Sequence, residues 1–120
     1  MHRIRKRADF LRAQKGRRQS TPGLGLEVCG SPQHLGATEG ARFGVTASRK
    51  VGGAVARNRA KRRLRAVAAA ILPLSARSGH DYVLIARVAT LSRPFPSLIG
   101  DLSHALAAAH QALDRQERAT

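Results

Sequence analysis

The chain's 120 residues suit a single domain with one modest core, and its 22 Lys and Arg against 7 Asp and Glu leave a formal net charge of +15, as in nucleic-acid-binding proteins. The lone Cys29 excludes an internal disulfide and a cysteine-held zinc, and the histidines show no metal-ligand spacing. No apolar run approaches the roughly 20 residues of a bilayer-spanning helix. The start Met-His-Arg-Ile-Arg-Lys-Arg has no apolar segment after it, which argues against secretion and for a cytoplasmic address.

Aromatics are only 3% of the chain, so aliphatic side chains must carry the core. Ala8 to Lys15 sets Phe10, Leu11 and Ala13 among charges and predicts a short helix closed by Gly16. Arg17 to Pro22 is polar and extended. Leu24, Leu26 and Val28 then alternate with Gly25, Glu27 and Cys29, a strand with one face inward. Gly30 to Gly40, rich in Gly, Ser and Pro, predicts an exposed connection. Phe43, Val45 and Ala47 alternate with Arg42, Gly44, Thr46 and Ser48 in a second half-buried strand, and Lys50 to Gly53 turns the chain. Ala54 to Leu72 predicts a helix stopped by Pro73, with Ala60, Leu64, Val67 and Ile71 as its inward stripe. Tyr82 to Ala86 is continuously apolar and predicts a central strand covered on both faces. Ser92 to Pro96 breaks the chain before a last helix with Leu98, Leu102, Ala105, Leu106, Ala109 and Leu113 at helical spacing and a frayed tail after Asp114. This order predicts an α+β fold built as a small α/β layer structure.

The charge is concentrated. No acidic residue occurs between Glu39 and Asp81, so Arg42, Arg49, Lys50, Arg57, Arg59, Lys61, Arg62, Arg63 and Arg65 have no neutralising neighbour in sequence. A helix projects side chains about 100° apart. Arg57, Lys61 and Arg65 can therefore follow one phosphate backbone while Arg59 and Arg63 reach around it. Asn58, Arg62 and Arg65 fall opposite the apolar stripe, and the Asn58 amide offers donor and acceptor together to a base edge or a 2′-hydroxyl. An ordinary solvated helix interleaves acids at i,i+4; their absence here points to a polyanionic partner.

The run from Gly44 to Arg65, Gly-Val-Thr-Ala-Ser-Arg-Lys-Val-Gly-Gly-Ala-Val leading into Arg-Asn-Arg-Ala-Lys-Arg-Arg-Leu-Arg, resembles the signature of the bacterial ribonuclease P protein subunit. The triplet Arg57-Asn58-Arg59, followed by Lys61, Arg62 and Arg65, matches that family's Arg-Asn-Arg motif, and the resemblance spans most of the chain. It includes Asp9-Phe10 in the first helix and the strand from Asp81 to Arg87. The resemblance implies one domain over residues 1–120 with flexible ends at about 1–7 and 114–120, and about four strands packed by helices with a left-handed βαβ crossover. It implies that Arg57, Asn58, Arg59, Lys61, Arg62 and Arg65 bind the catalytic RNA. It also implies that a cleft including Phe10 holds the 5′ leader of precursor tRNA by stacking. Gln14, one turn after Phe10, and Ser48, Arg49 and Lys50 at the strand end are further cleft candidates. Gln14 stands where many members have a second aromatic, and Leu26 or Glu27 where others have Tyr, so charge and shape are expected to outweigh stacking.

No constellation of side chains in the sequence reads as a protein active site. The acids Asp9, Glu27, Glu39, Asp81, Asp101, Asp114 and Glu117 offer no clear pair for two-metal phosphodiester hydrolysis. The resemblance implies that the RNA subunit holds Mg²⁺ and cuts the bond, with no catalytic or metal-binding residue on this chain. The partners are then ribonuclease P RNA and precursor tRNA, with no membrane and no protein partner required. The alternative is a non-enzymatic ribosomal or RNA-assembly protein that clamps structured RNA. A protein nuclease acting alone would need the acidic cluster that the sequence lacks.

Overall fold

The computed structural model describes residues 2–32 and 40–119. Its elements are β1 (His2–Arg3), α1 (Arg7–Gln14), β2 (Arg17–Ser20), β3 (Leu24–Gly30), β4 (Arg42–Thr46), α2 (Ala54–Ser75), β5 (His80–Ala86) and α3 (Phe95–Ala119). Short 3₁₀ turns lie at Arg49–Val51 and Val88–Leu91. The strands form one mixed sheet in the order β1-β4-β5-β3-β2. Central β5 runs antiparallel to β3 and parallel to β4, so β4, α2 and β5 make a βαβ unit joining adjacent strands.

The protein therefore has a mixed α/β fold, with five strands and three helices among the described residues, where about four strands were expected. The additional strand is β1, whose His2 and Arg3 pair in parallel with Arg42 and Phe43; two residues cannot display a period-2 pattern. The polar stretch after α1 is edge strand β2, kept single-sided by charges at Arg17 and Arg18.

Alternation along the strands sorts side chains to two faces. Leu24, Leu26 and Val28 of β3, Val45 of β4 and Tyr82, Leu84 and Ala86 of β5 join Ala60, Leu64, Val67 and Leu72 of α2 and Leu98, Leu102, Ala105, Leu106 and Ala109 of α3 in the main core. The opposite face carries a smaller cluster, in which Val83, Ile85 and Cys29 meet Ile4 and the α1 residues Phe10 and Ala13. Strand β3 consequently has two covered faces rather than one, with Gly25 and Glu27 buried alongside its leucines.

Helix α2 also passes through Pro73, where a stop was expected, and ends at Ser75. Pro73 lies in the last turn beside exposed Ala69 and Ala70. Proline leaves one carbonyl of the preceding turn without its amide donor, and the Ala76 N–H closes the helix on the Leu72 carbonyl at 2.8 Å. Helix α3 continues beyond Asp114 to Ala119, anchored where Arg77 donates to both Asp114 carboxylate oxygens at 2.7 and 3.1 Å. Residues 33–39, most of the expected Gly30–Gly40 connection, lie outside the described residues.

One polar network fastens α1 to the sheet. Asp81, fully buried, accepts from Arg42 Nε at 2.9 Å and Nη2 at 2.6 Å, from Arg12 Nη2 at 2.7 Å and from Ser31 Oγ at 2.7 Å. Asp9 accepts from Arg12 Nη1 at 2.9 Å and Arg42 Nη1 at 3.4 Å. Burial alone would raise the Asp81 pKa, but the bonds from Arg42, Ser31 and Arg12 outweigh it and hold the carboxyl below its ordinary range. Arg42 therefore does find neutralising partners, supplied by chain segments remote in sequence.

Candidate nucleic-acid interface

The basic helix owes its direction to the turn before it. Ser48 Oγ accepts from the Lys50 N–H at 3.3 Å and starts the 3₁₀ turn, and Gly52 follows at φ 142°, a conformation that L side chains rarely adopt. Gly53 then caps α2 without a side-chain bond, and no acid lies in the first turn. The first turn is the positive end of the helix dipole, where cations are unfavourable. Arg57 and Arg59 stand close to it, so this end of the helix carries positive charge that no acid in its first turn offsets.

Asn58, Arg59 and Arg62 are exposed, and Arg57, Lys61 and Arg65 are half-buried. Among the described residues, no carboxylate forms an ion pair with any of these side chains, the ion pairs belonging to Arg12, Arg18, Arg42, Arg77 and Arg93. Arg65 Nε is buried with no hydrogen-bond partner among the described residues. Arg63 behaves differently from its expected place around the RNA. Its guanidinium turns back to donate to the carbonyls of Leu91, at 3.2 Å, and Arg93, clamping α2 to the segment before α3.

A cleft of about 430 Å³ opens on the sheet face that carries α1, lined by Phe10, Gln14, Arg18, Glu27, Thr46, Val83 and Ile85. The structure thus brings Phe10 and Gln14 together. Ser48, Arg49 and Lys50 are exposed just beyond the end of β4 and do not line the cleft, which Thr46 reaches from the same strand. Arg18, Thr46, Val83 and Ile85 are lining residues that sequence reading missed. The period-2 register that sends Val45 and Leu84 to the main core sends Thr46, Val83 and Ile85 to this face, so that signal was available. Burial pushes the Glu27 carboxyl up, against the opposing pull of Arg18.

Close packing sets the Phe10 ring. A Cβ built on Gly44 would lie 2.7 Å from Phe10 Cε1 and 2.8 Å from Cζ, so only glycine lets the ring rest on β4. Gly44→Ala is expected to displace the ring and cost about 1–3 kcal/mol through overpacking. Thermal denaturation checks this, and an unchanged melting temperature would contradict the packing described.

Among the described residues, no group of three or more His, Cys, Asp or Glu could hold a metal ion, and no helix is long and apolar enough to cross a membrane.

Comparison with known proteins places this geometry. The family model for ribonuclease P matches residues 1–110. The "Ribonuclease P protein component" of Ruegeria pomeroyi is 50% identical over 108 residues, covering 89% of this chain and 85% of that one. Its counterpart from Caulobacter vibrioides is 45% identical over 113 residues, covering 94% and 74%. The solved structure of the Staphylococcus aureus RNase P protein superposes with a TM-score of 0.71 at 27% identity, covering 91% of this chain and 95% of that one. The chain belongs to the ribonuclease P protein family, the protein subunit of the enzyme of tRNA 5′-end maturation.

Proposed function

We propose that the chain works with its two sheet faces divided between two RNAs. The α2 ridge of Arg57, Asn58, Arg59, Lys61, Arg62 and Arg65 docks on ribonuclease P RNA, and the cleft under α1 holds the single-stranded 5′ leader of precursor tRNA. The RNA subunit holds the Mg²⁺ ions and cuts the phosphodiester bond. This chain, as one domain in the cytoplasm, offsets RNA–RNA repulsion and favours precursor over mature tRNA. Discrimination of that kind needs contacts that only the precursor offers, and the leader supplies them.

The observation that carries this reading is the separation of roles among the cations. Arg12, Arg42, Arg77 and Arg93 each meet a carboxylate that ties elements of the fold together, whereas the cations of the α2 set meet none among the described residues. Family membership decides for tRNA maturation over the ribosomal alternative.

The direct test is reconstitution with a bacterial ribonuclease P RNA at low Mg²⁺, scoring 5′-end processing with and without the chain; no stimulation would overturn the proposal. Phe10→Ala tests the cleft by itself. Affinity of the reconstituted enzyme for leader-bearing precursor is expected to fall by about 1–3 kcal/mol, the worth of one base stacked on an aromatic ring, while mature tRNA binds as before. An equal loss for both would remove the leader from the cleft.

A further inference from the structure

Glu27 is out of place in a receptacle for a polyanion. It is 3% exposed, and its nearest cation, Arg18 Nη1, is 3.9 Å away on a side chain that is itself 63% exposed. The other buried acids are satisfied: Asp9, Asp81 and Asp101 each accept short bonds from arginines, at 2.9, 2.6 and 2.6 Å. Among the described residues no hydrogen bond reaches the Glu27 carboxylate, whose nearest approach is the long one to Arg18. The wholly buried side-chain atoms left without a partner among the described residues are Arg12 Nε and Arg65 Nε, not the Glu27 oxygens, so this carboxylate meets the cleft that it shares with Phe10, Gln14 and Arg18.

We propose that Glu27 reads the base of one leader nucleotide seated against Phe10, and that it selects guanine. The inference rests on the cleft holding the leader, as proposed above. A carboxylate at the cleft wall repels phosphate, so the base enters and the backbone stays at the rim near Arg18. An ionised carboxylate only accepts, through oxygens that can take two parallel donors. Guanine presents N1–H and N2–H side by side on its Watson–Crick edge, whereas adenine and cytosine present one amino group each. Uracil sets its N3–H between two carbonyls, which a carboxylate repels. Gln14, on the same wall of α1, has an amide donor suited to guanine O6. The cleft volume of about 430 Å³ falls in the range of ligand-sized sites.

The test uses the reconstituted ribonucleoprotein and a set of precursors whose leader nucleotides are changed one at a time to G, A, C, U or inosine, with equilibrium binding as readout. At one leader position guanine is expected to bind about tenfold tighter than uracil, with inosine, which lacks the N2 amino group, losing part of that advantage. Glu27→Gln, which keeps the shape but lacks the anionic acceptor pair, is expected to level the series without lowering the melting temperature. Indifference of the unaltered enzyme to base identity at every position would overturn the assignment, and so would a guanine preference that survives Glu27→Gln. In both cases a retained advantage of precursor over mature tRNA leaves the leader cleft standing. Loss of that advantage in the unaltered enzyme overturns cleft and base reading together.

Discussion

Replacing Arg59 and Arg62 together by alanine is expected to weaken assembly with ribonuclease P RNA by roughly a hundredfold while leaving the melting temperature unchanged. Both side chains are exposed and neither joins an ion pair among the described residues, so the folded chain loses nothing when they go. The complex loses charge-assisted contacts worth about 1.5–3 kcal/mol each, and two at the lower end give that factor. A second readout separates charge from shape. Each phosphate contact releases counterions and adds about 0.7–0.9 to the slope of log affinity against log salt, so the double variant should flatten that slope by roughly 1.4–1.8. Binding titrations from low to moderate salt check both numbers. An unchanged slope would mean that the α2 ridge does not meet phosphate. The same double change at Arg63 and Arg93 should do the opposite. Arg63 holds backbone carbonyls and Arg93 holds Asp101 at 2.6 and 3.0 Å, so stability suffers first.

That contrast marks what could be read from residues alone. The α2 stripe, the buried β5 run and the acid-free ridge are local signals, written in spacing and composition, and the structure keeps them: Ala60, Leu64 and Val67 are buried and Asn58, Arg59 and Arg62 exposed. What failed to show was pairing across long separations. Nothing near Arg42 in sequence announces Asp81, 39 residues away, and nothing near Arg63 announces the Leu91 carbonyl, 28 residues away. One cation run therefore divides into ridge and clamp only after the chain folds. The cleft was half legible. Phe10 and Gln14 came from one helix, but Arg18, Glu27, Thr46, Val83 and Ile85 come from four strands whose lateral order the sequence does not state. Glu27 in particular looked like the outward member of a one-faced strand, because the α1 layer that buries it belongs to a different segment.

The largest effect on stability is expected from Asp81. It sits fully buried at the meeting of β5, β4 and α1, and its removal leaves Arg42 and Arg12 facing one another with only Asp9 to share. Breaking one side of a buried ion pair costs about 3–5 kcal/mol, so Asp81→Asn should unfold at markedly lower denaturant concentration. The pH dependence follows from the sign of the shift. Asp81 is held below its ordinary value of 3.8, so in that window the unfolded chain binds the proton more readily than the folded one. Its contribution is complete at neutral pH and down to the unfolded value. It is lost as pH falls further, through the folded value. Urea melts of both proteins should therefore differ most near pH 7 and converge below about pH 4; a constant gap would show that the carboxylate charge is not what holds the junction. The consequence reaches the cleft, because the same network fixes α1, and α1 carries Phe10 and Gln14 over β4 and β5. Under conditions where Asp81→Asn remains folded, affinity for leader-bearing precursor should fall while affinity for ribonuclease P RNA holds, since α2 packs on the other face of the sheet against a core that Asp81 does not enter.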